Sequence, residues 1–96
     1  MLKLKIKPGA QNDLVKIFEY TAMNWGLSQA EKYQDDLYDG MQLLSEQEEL
    51  GKDYPYSELS YRKLHVNRHL VFYRVEKQEC IVVRILHDRM DIEEHL

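Results

Sequence analysis

The second half of the chain constrains the fold most. Three runs rich in Val, Ile, Leu, Phe and Tyr, at Tyr61 to Val66, His69 to Val75 and Glu79 to His87, are separated by little more than Asn67-Arg68 and Lys77-Gln78. Runs of this length and composition read as strands. A two-residue connection joins only antiparallel neighbours, because a parallel return needs a crossover of a dozen residues or more. The sequence therefore predicts an antiparallel meander ending near His87.

The amino-terminal half carries two other periods. Leu2, Leu4 and Ile6 alternate with Lys3, Lys5 and Lys7, which predicts a strand with one buried face. Pro8 suits the first turn of a helix, and Leu14, Ile17, Phe18, Thr21 and Trp25 follow at helical spacing up to Gly26, a natural stop. Ser28-Gln29-Ala30-Glu31 reads as a capping box opening a second helix, whose apolar stripe is Ala30, Tyr33, Leu37, Met41 and Leu44. With so short a link the two helices form an antiparallel hairpin. Glu46 to Ser60, polar and holding Gly51 and Pro55, reads as a loop, and the tail from Met90 as one helical turn. The expectation is an α+β fold in the order β-α-α-β-β-β, an antiparallel sheet against an N-terminal helical hairpin, with residues 1–96 as one domain.

Length agrees: 96 residues build one core without metal or disulfide support. Cys80, the single cysteine, lies in an apolar run and reads as a small buried hydrophobe in a reducing, cytoplasmic setting. No apolar stretch has the length of a membrane span. Thirteen basic against seventeen acidic residues leave a net charge of −4, which argues against nucleic acid as the main partner. The distribution is uneven. Leu27 to Ser60 holds nine acids against Lys32 and Lys52, whereas Tyr61 to Arg89 holds seven Lys or Arg against three acids, so a basic face survives on an acidic body.

Chemistry concentrates in RILHDRMD, Arg84 to Asp91. A ribonuclease acting through a 2′-hydroxyl needs a base, an acid and cations on the phosphate; His87, Arg84 and Arg89 supply part of that set, with Tyr73 or His65 as the missing partner. The simpler alternative, favoured here, is the polar rim of a strand whose Ile81, Val83 and Ile85 fill the core. His87, Asp91 and His95 lack the spacing of a helical zinc site, so no metal and no cofactor is expected. Tyr20, Trp25, Tyr33 and Tyr38 read as core or partner-docking residues, since no cations interleave with them as in a base-stacking surface.

Taken in order, Asp13-Leu14, Ile17, Tyr20-Thr21, Trp25-Gly26, Gln29-Ala30, Tyr33, the strand HLVFYRV from His69 to Val75, RILHDRMD and the closing His95-Leu96 resemble the ParE branch of the RelE/ParE toxin superfamily, over almost the whole chain. The resemblance implies a toxin of a type II toxin-antitoxin module that inhibits DNA gyrase by binding, and not an enzyme. It also implies a ParD-like antitoxin with a ribbon-helix-helix domain, through which alone the pair would meet operator DNA. The sister branch, RelE-like, cuts messenger RNA on the ribosome and is the alternative, with His87, Arg84, Arg89 and Tyr73 as its catalytic set. On the gyrase reading the target-binding residues are Arg62, Arg68, Arg74, Arg84, His87, Arg89 and Met90, and the antitoxin contacts Tyr20, Trp25, Tyr33 and Leu37. The chain departs from the family pattern at Lys7, where a helix-capping serine is common, at Ser60, and at Gly51-Lys52.

Overall fold

The computed structural model describes residues 1–56 and 59–96. The chain runs β1 (Lys3–Ile6), α1 (Pro8–Trp25), α2 (Leu27–Glu46), a 3₁₀ turn (Glu48–Leu50), β2 (Lys52–Tyr56), β3 (Leu59–Val66), β4 (His69–Glu76), β5 (Glu79–His87) and a terminal turn, α3 (Ile92–His95). The α+β architecture and the β3–β4–β5 meander are those expected from the sequence. In the sheet order β1-β5-β4-β3-β2, however, β1 lies parallel to β5, so the sheet is mixed and not wholly antiparallel. The parallel pairing is available because the whole segment from α1 through β4 lies between these two strands, a connection far longer than a parallel return needs.

A second correction falls in the segment from Glu46 to Ser60, expected as a loop. It holds the 3₁₀ turn and β2, which pairs with β3 from Lys52 opposite Lys63 to Tyr56 opposite Leu59. β2 is an outermost strand, where Pro55 sacrifices no ladder bond to a further neighbour, and this is why a proline did not forbid it. Ser57 and Glu58, also within the expected loop, lie outside the described residues.

Helix α2 also starts differently. Its N-cap is Gly26, with no side-chain capping bond, and Ser28 already lies inside the first turn. The amide of Gly26 donates to the Ala22 carbonyl, closing α1, and its carbonyl accepts from Ala30, opening α2. One residue with φ +94° thus serves both helices, a conformation that favours glycine, and the capping box is redundant.

The core lies between the hairpin and one face of the sheet: Leu14, Leu37, Met41 and Leu44 meet Val71, Tyr73, Cys80, Val82 and Ile85. Gly40 lets α2 approach β3 closely, since a β-carbon there would sit 2.9 Å from Val66 Cγ2. The alternate residues Leu70, Phe72 and Leu86 form a smaller cluster on the other face with Tyr54 and the tail residues Ile92 and Leu96. Between these faces β5 carries a bulge: Phe72 pairs with Arg84 but Tyr73 with Val82, leaving Val83 as the extra residue. Cys80 is fully buried, and burial pushes its thiol up to about 11, so it is an inert core residue. No described helix is long and apolar enough to cross a membrane.

The β4–β5 turn holds Lys77 and Gln78 at φ +46° and +65°, the left-handed pair that a type I′ turn requires and that Asn-Gly adopts more readily. Gln78→Gly is expected to stabilise the chain by about 1 kcal/mol, read as a higher urea midpoint at unchanged slope.

Candidate functional site

Where the meander ends beside the hairpin, the surface sinks into a groove of about 780 Å³. Lys16, Ile17, Tyr20, Thr21 and Trp25 of α1 form one wall, and Gln29 and Tyr33 of α2 continue it. The opposite wall comes from Arg68 in the β3–β4 turn, His69 at the start of β4, His87 at the end of β5, and Arg89 and Met90 beyond it. The helical wall is apolar and open: Tyr20 is 66% and Trp25 70% exposed. The sheet wall is cationic, and among the described residues its Arg68 and Arg89, like Lys16 on the helical wall, make no side-chain ion pair.

Between the walls runs a short polar chain. The Arg68 amide donates to the Tyr33 hydroxyl at 3.1 Å, and that hydroxyl is 2.6 Å from His69 Nδ1. Burial raises the Tyr33 pKa, so the phenol keeps its proton and donates to the imidazole. The His69 ring meets Tyr33 edge-on at 5.5 Å and His87 at 5.2 Å. Burial, and secondarily His87, lowers His69 from 6.5 to about 4, which keeps it neutral and able to accept. His87 Nδ1 accepts from the Arg89 amide at 3.1 Å and lies 3.3 Å from Asp88 Oδ1, while Asp88 Oδ2 is 3.2 Å from His65 Nε2.

The lowered His69 pKa fixes a pH dependence. Below about 6.5 the unfolded chain binds a proton there that the folded chain refuses until about pH 4, so stability is full above 6.5 and falls as the pH drops towards 4. With partial solvent exposure allowed for, the loss should be about 1–2 kcal/mol. His69→Gln should flatten the denaturation midpoint over that window relative to the parent chain.

Beneath the groove the structure is fastened by a carboxylate. Asp13 on α1 is buried and accepts from Arg84 Nε at 2.7 Å and Nη2 at 2.9 Å, and its Oδ2 also takes the amide of Ile85 at 2.9 Å. The pairing of β1 with β5 ends at Ile6 opposite Val82, so this side chain satisfies the strand where its neighbour stops. The carboxylate raises the Arg84 pKa and holds the guanidinium charged; its Nη1 donates to the His95 carbonyl, tying in the tail.

Comparison with known proteins agrees with this geometry. A family model described as the ParE toxin of the type II toxin-antitoxin system parDE matches residues 4–92. The chain belongs to the ParE toxin family. It is 36% identical over 92 residues to Toxin ParE1 of Mycobacterium tuberculosis, covering 95% of this chain and 94% of that protein. It is 29% identical over 96 residues to Toxin ParE1 of Caulobacter vibrioides, covering 100% and 99%. The fold matches that of a chain in the chromosomal ParDE toxin-antitoxin system of P. aeruginosa, with TM-score 0.79 and 24% identity, covering 91% of this chain and 96% of that one.

In this ParE chain, residues assigned from sequence to two separate surfaces converge. Tyr20, Trp25 and Tyr33 of the expected antitoxin stripe face Arg68, His87, Arg89 and Met90 of the expected target set across one groove. Leu37 is corrected: it is 0% exposed and belongs to the core, so it offers nothing to a partner. Three of the expected target-binding arginines are committed to the chain itself. Arg62 donates to Asp53 Oδ1, the Glu49 and Gly51 carbonyls and the Tyr73 hydroxyl; Arg74 pairs with Glu76 at 2.6 Å; Arg84 holds Asp13.

The ribonuclease set is dispersed in the same way. Tyr73 is buried, its hydroxyl donating to the Glu48 carbonyl and accepting from the Gly51 amide; a β-carbon at Gly51 would collide with that hydroxyl. His69 stands beside His87 in its place, yet an imidazole that stays unprotonated to about pH 4 is no general acid at neutral pH. His87 ends β5, His95 ends α3, and no group of three potential ligands among the described residues is placed to hold a metal ion. Sequence reasoning missed Asp13 and His69 as organising residues. The two-residue turn between β3 and β4 was a signal for His69, since it places the residue after Arg68 at the rim of the sheet.

Proposed function

We propose that this ParE-family chain is the toxin of a type II module that acts in the cytoplasm by binding DNA gyrase, without chemistry of its own, and is neutralised by a ParD-like antitoxin. The observation that carries the reading is a groove with a largely apolar helical wall and, opposite it, Arg68 and Arg89, which make no side-chain ion pair among the described residues. Arg68, His87, Arg89 and Met90 face the target, while Tyr20, Trp25 and Tyr33 face the antitoxin. Its family membership supports the module, and the P. aeruginosa ParDE structure supports a ParD-type partner. Purified protein should inhibit supercoiling by gyrase, and induction without antitoxin should raise DNA breaks and the SOS response. Codon-phased cuts in messenger RNA with gyrase undisturbed would overturn the proposal in favour of a RelE-like endonuclease.

A further inference from the structure

Between Tyr20 and Trp25 the sequence places no cation, so along the chain the two rings lack the pattern of a base-stacking surface. The fold supplies what the sequence keeps apart. It sets Arg68 and Arg89 across the groove from both rings, with Lys16 on the helix that carries them. None of these three cations makes a side-chain ion pair among the described residues, and no Asp or Glu lines the groove. In a chain with seventeen acids and thirteen bases, that lining is a local excess of positive charge. His69 adds nothing to it at neutral pH, being held neutral down to about 4.

An aromatic wall facing cations selects a ligand that is flat and apolar at one end and multiply anionic at the other. The groove, at about 780 Å³, lies within the range of roughly 300–1,000 Å³ typical of small-molecule sites. Three cations gathered without counter-charges repel one another, and a polyphosphate relieves that repulsion more fully than a single phosphodiester does. Gln29, also in the lining, offers both a donor and an acceptor to the edge of a base. We infer that the groove is a nucleotide site, in which a nucleoside triphosphate lays its base on Tyr20 and Trp25 and its phosphates on Lys16, Arg68 and Arg89. The ligand is bound and not cleaved. The inference goes beyond the toxin reading and does not depend on it. Its consequence is regulatory: an occupied groove has its cations neutralised, so the nucleotide level sets how much of the protein presents them to other partners.

Trp25 is the only tryptophan of the chain and lies in the groove, so a purine stacked on it should quench its emission. ATP added to the full chain is expected to lower that emission saturably. Calorimetric titration should show ATP binding at least about tenfold more tightly than tripolyphosphate or adenosine, because only ATP reaches both walls. Arg68→Gln with Arg89→Gln should weaken ATP binding about tenfold or more and flatten its dependence on salt. Trp25→Leu should weaken it by about the same factor and leave tripolyphosphate binding unchanged. All three side chains are exposed, so the urea midpoints of these variants should stay close to that of the parent. Lys3→Gln with Lys5→Gln, on β1 outside the groove, should change neither affinity nor salt dependence.

An ATP dissociation constant above about 1 mM at low salt would overturn the inference. So would tripolyphosphate binding as tightly as ATP, which would leave an anion site without recognition of a base, or ATP binding that the groove variants do not alter. Tighter binding of a short single-stranded oligonucleotide than of ATP would overturn the assignment to a free nucleotide. None of these outcomes touches gyrase inhibition by the parent chain, which is measured separately and decides the toxin reading.

Discussion

Asp13→Ala is expected to destabilise the chain by about 3–5 kcal/mol, the usual cost of removing one member of a buried, hydrogen-bonded ion pair. The substitution strands two groups at once: the Arg84 guanidinium, which keeps only the His95 carbonyl, and the Ile85 amide, which loses its acceptor. Each carries its own desolvation penalty. Against a total stability of about 5–15 kcal/mol for an ordinary domain, such a loss places the variant near its unfolding midpoint at growth temperature. Urea denaturation should show the midpoint falling at constant slope. Arg84→Met added to Asp13→Ala should recover part of the loss, because the uncompensated charge is then gone. A loss below about 1 kcal/mol for the single variant would contradict the role assigned to the pair.

The second large effect separates packing from recognition on one hairpin. Leu37→Ala should cost about 2–5 kcal/mol, since the side chain is wholly enclosed and its removal leaves a cavity among Leu14, Met41 and the sheet. Any weakening of the antitoxin complex by this variant would follow from lost folding. Trp25→Ala, by contrast, removes an exposed side chain and should change stability by no more than about 0.5 kcal/mol. Its effect should fall on the complex. Thermal unfolding and a binding titration on both variants check the division; equal stability of the two would show that Leu37 is not packed as described.

These residues also show where a sequence can be read and where it cannot. The meander was legible because its two-residue links leave one way to connect the strands, and the hairpin because its stripes repeat at helical spacing. β2 was not, because an edge strand with a proline and polar neighbours lacks the alternation that marks a half-buried strand. The parallel pairing of β1 with β5 joins residues some seventy-six positions apart, such as Lys3 and Glu79, and no local period encodes it. The Asp13–Arg84 bond spans seventy-one positions and was equally hidden. The groove depended on a detail finer still. Counted from the Lys77-Gln78 turn, a regular register would place His69 opposite Leu86; the extra residue at Val83 shifts β5 by one and brings His87 there instead. The same shift turns Ile85 to the hairpin side and leaves Arg84 and Leu86 on the other.

The two outermost strands bear on how the chain behaves without a partner. β1 presents Lys3 and Lys5 to solvent along its length, and β2 breaks its outer row of amides at Pro55. Both are deterrents to recruiting a further strand, one through repulsion between like charges and the other through a missing donor. A copy without a partner therefore has little means of adding a strand at either margin of its sheet.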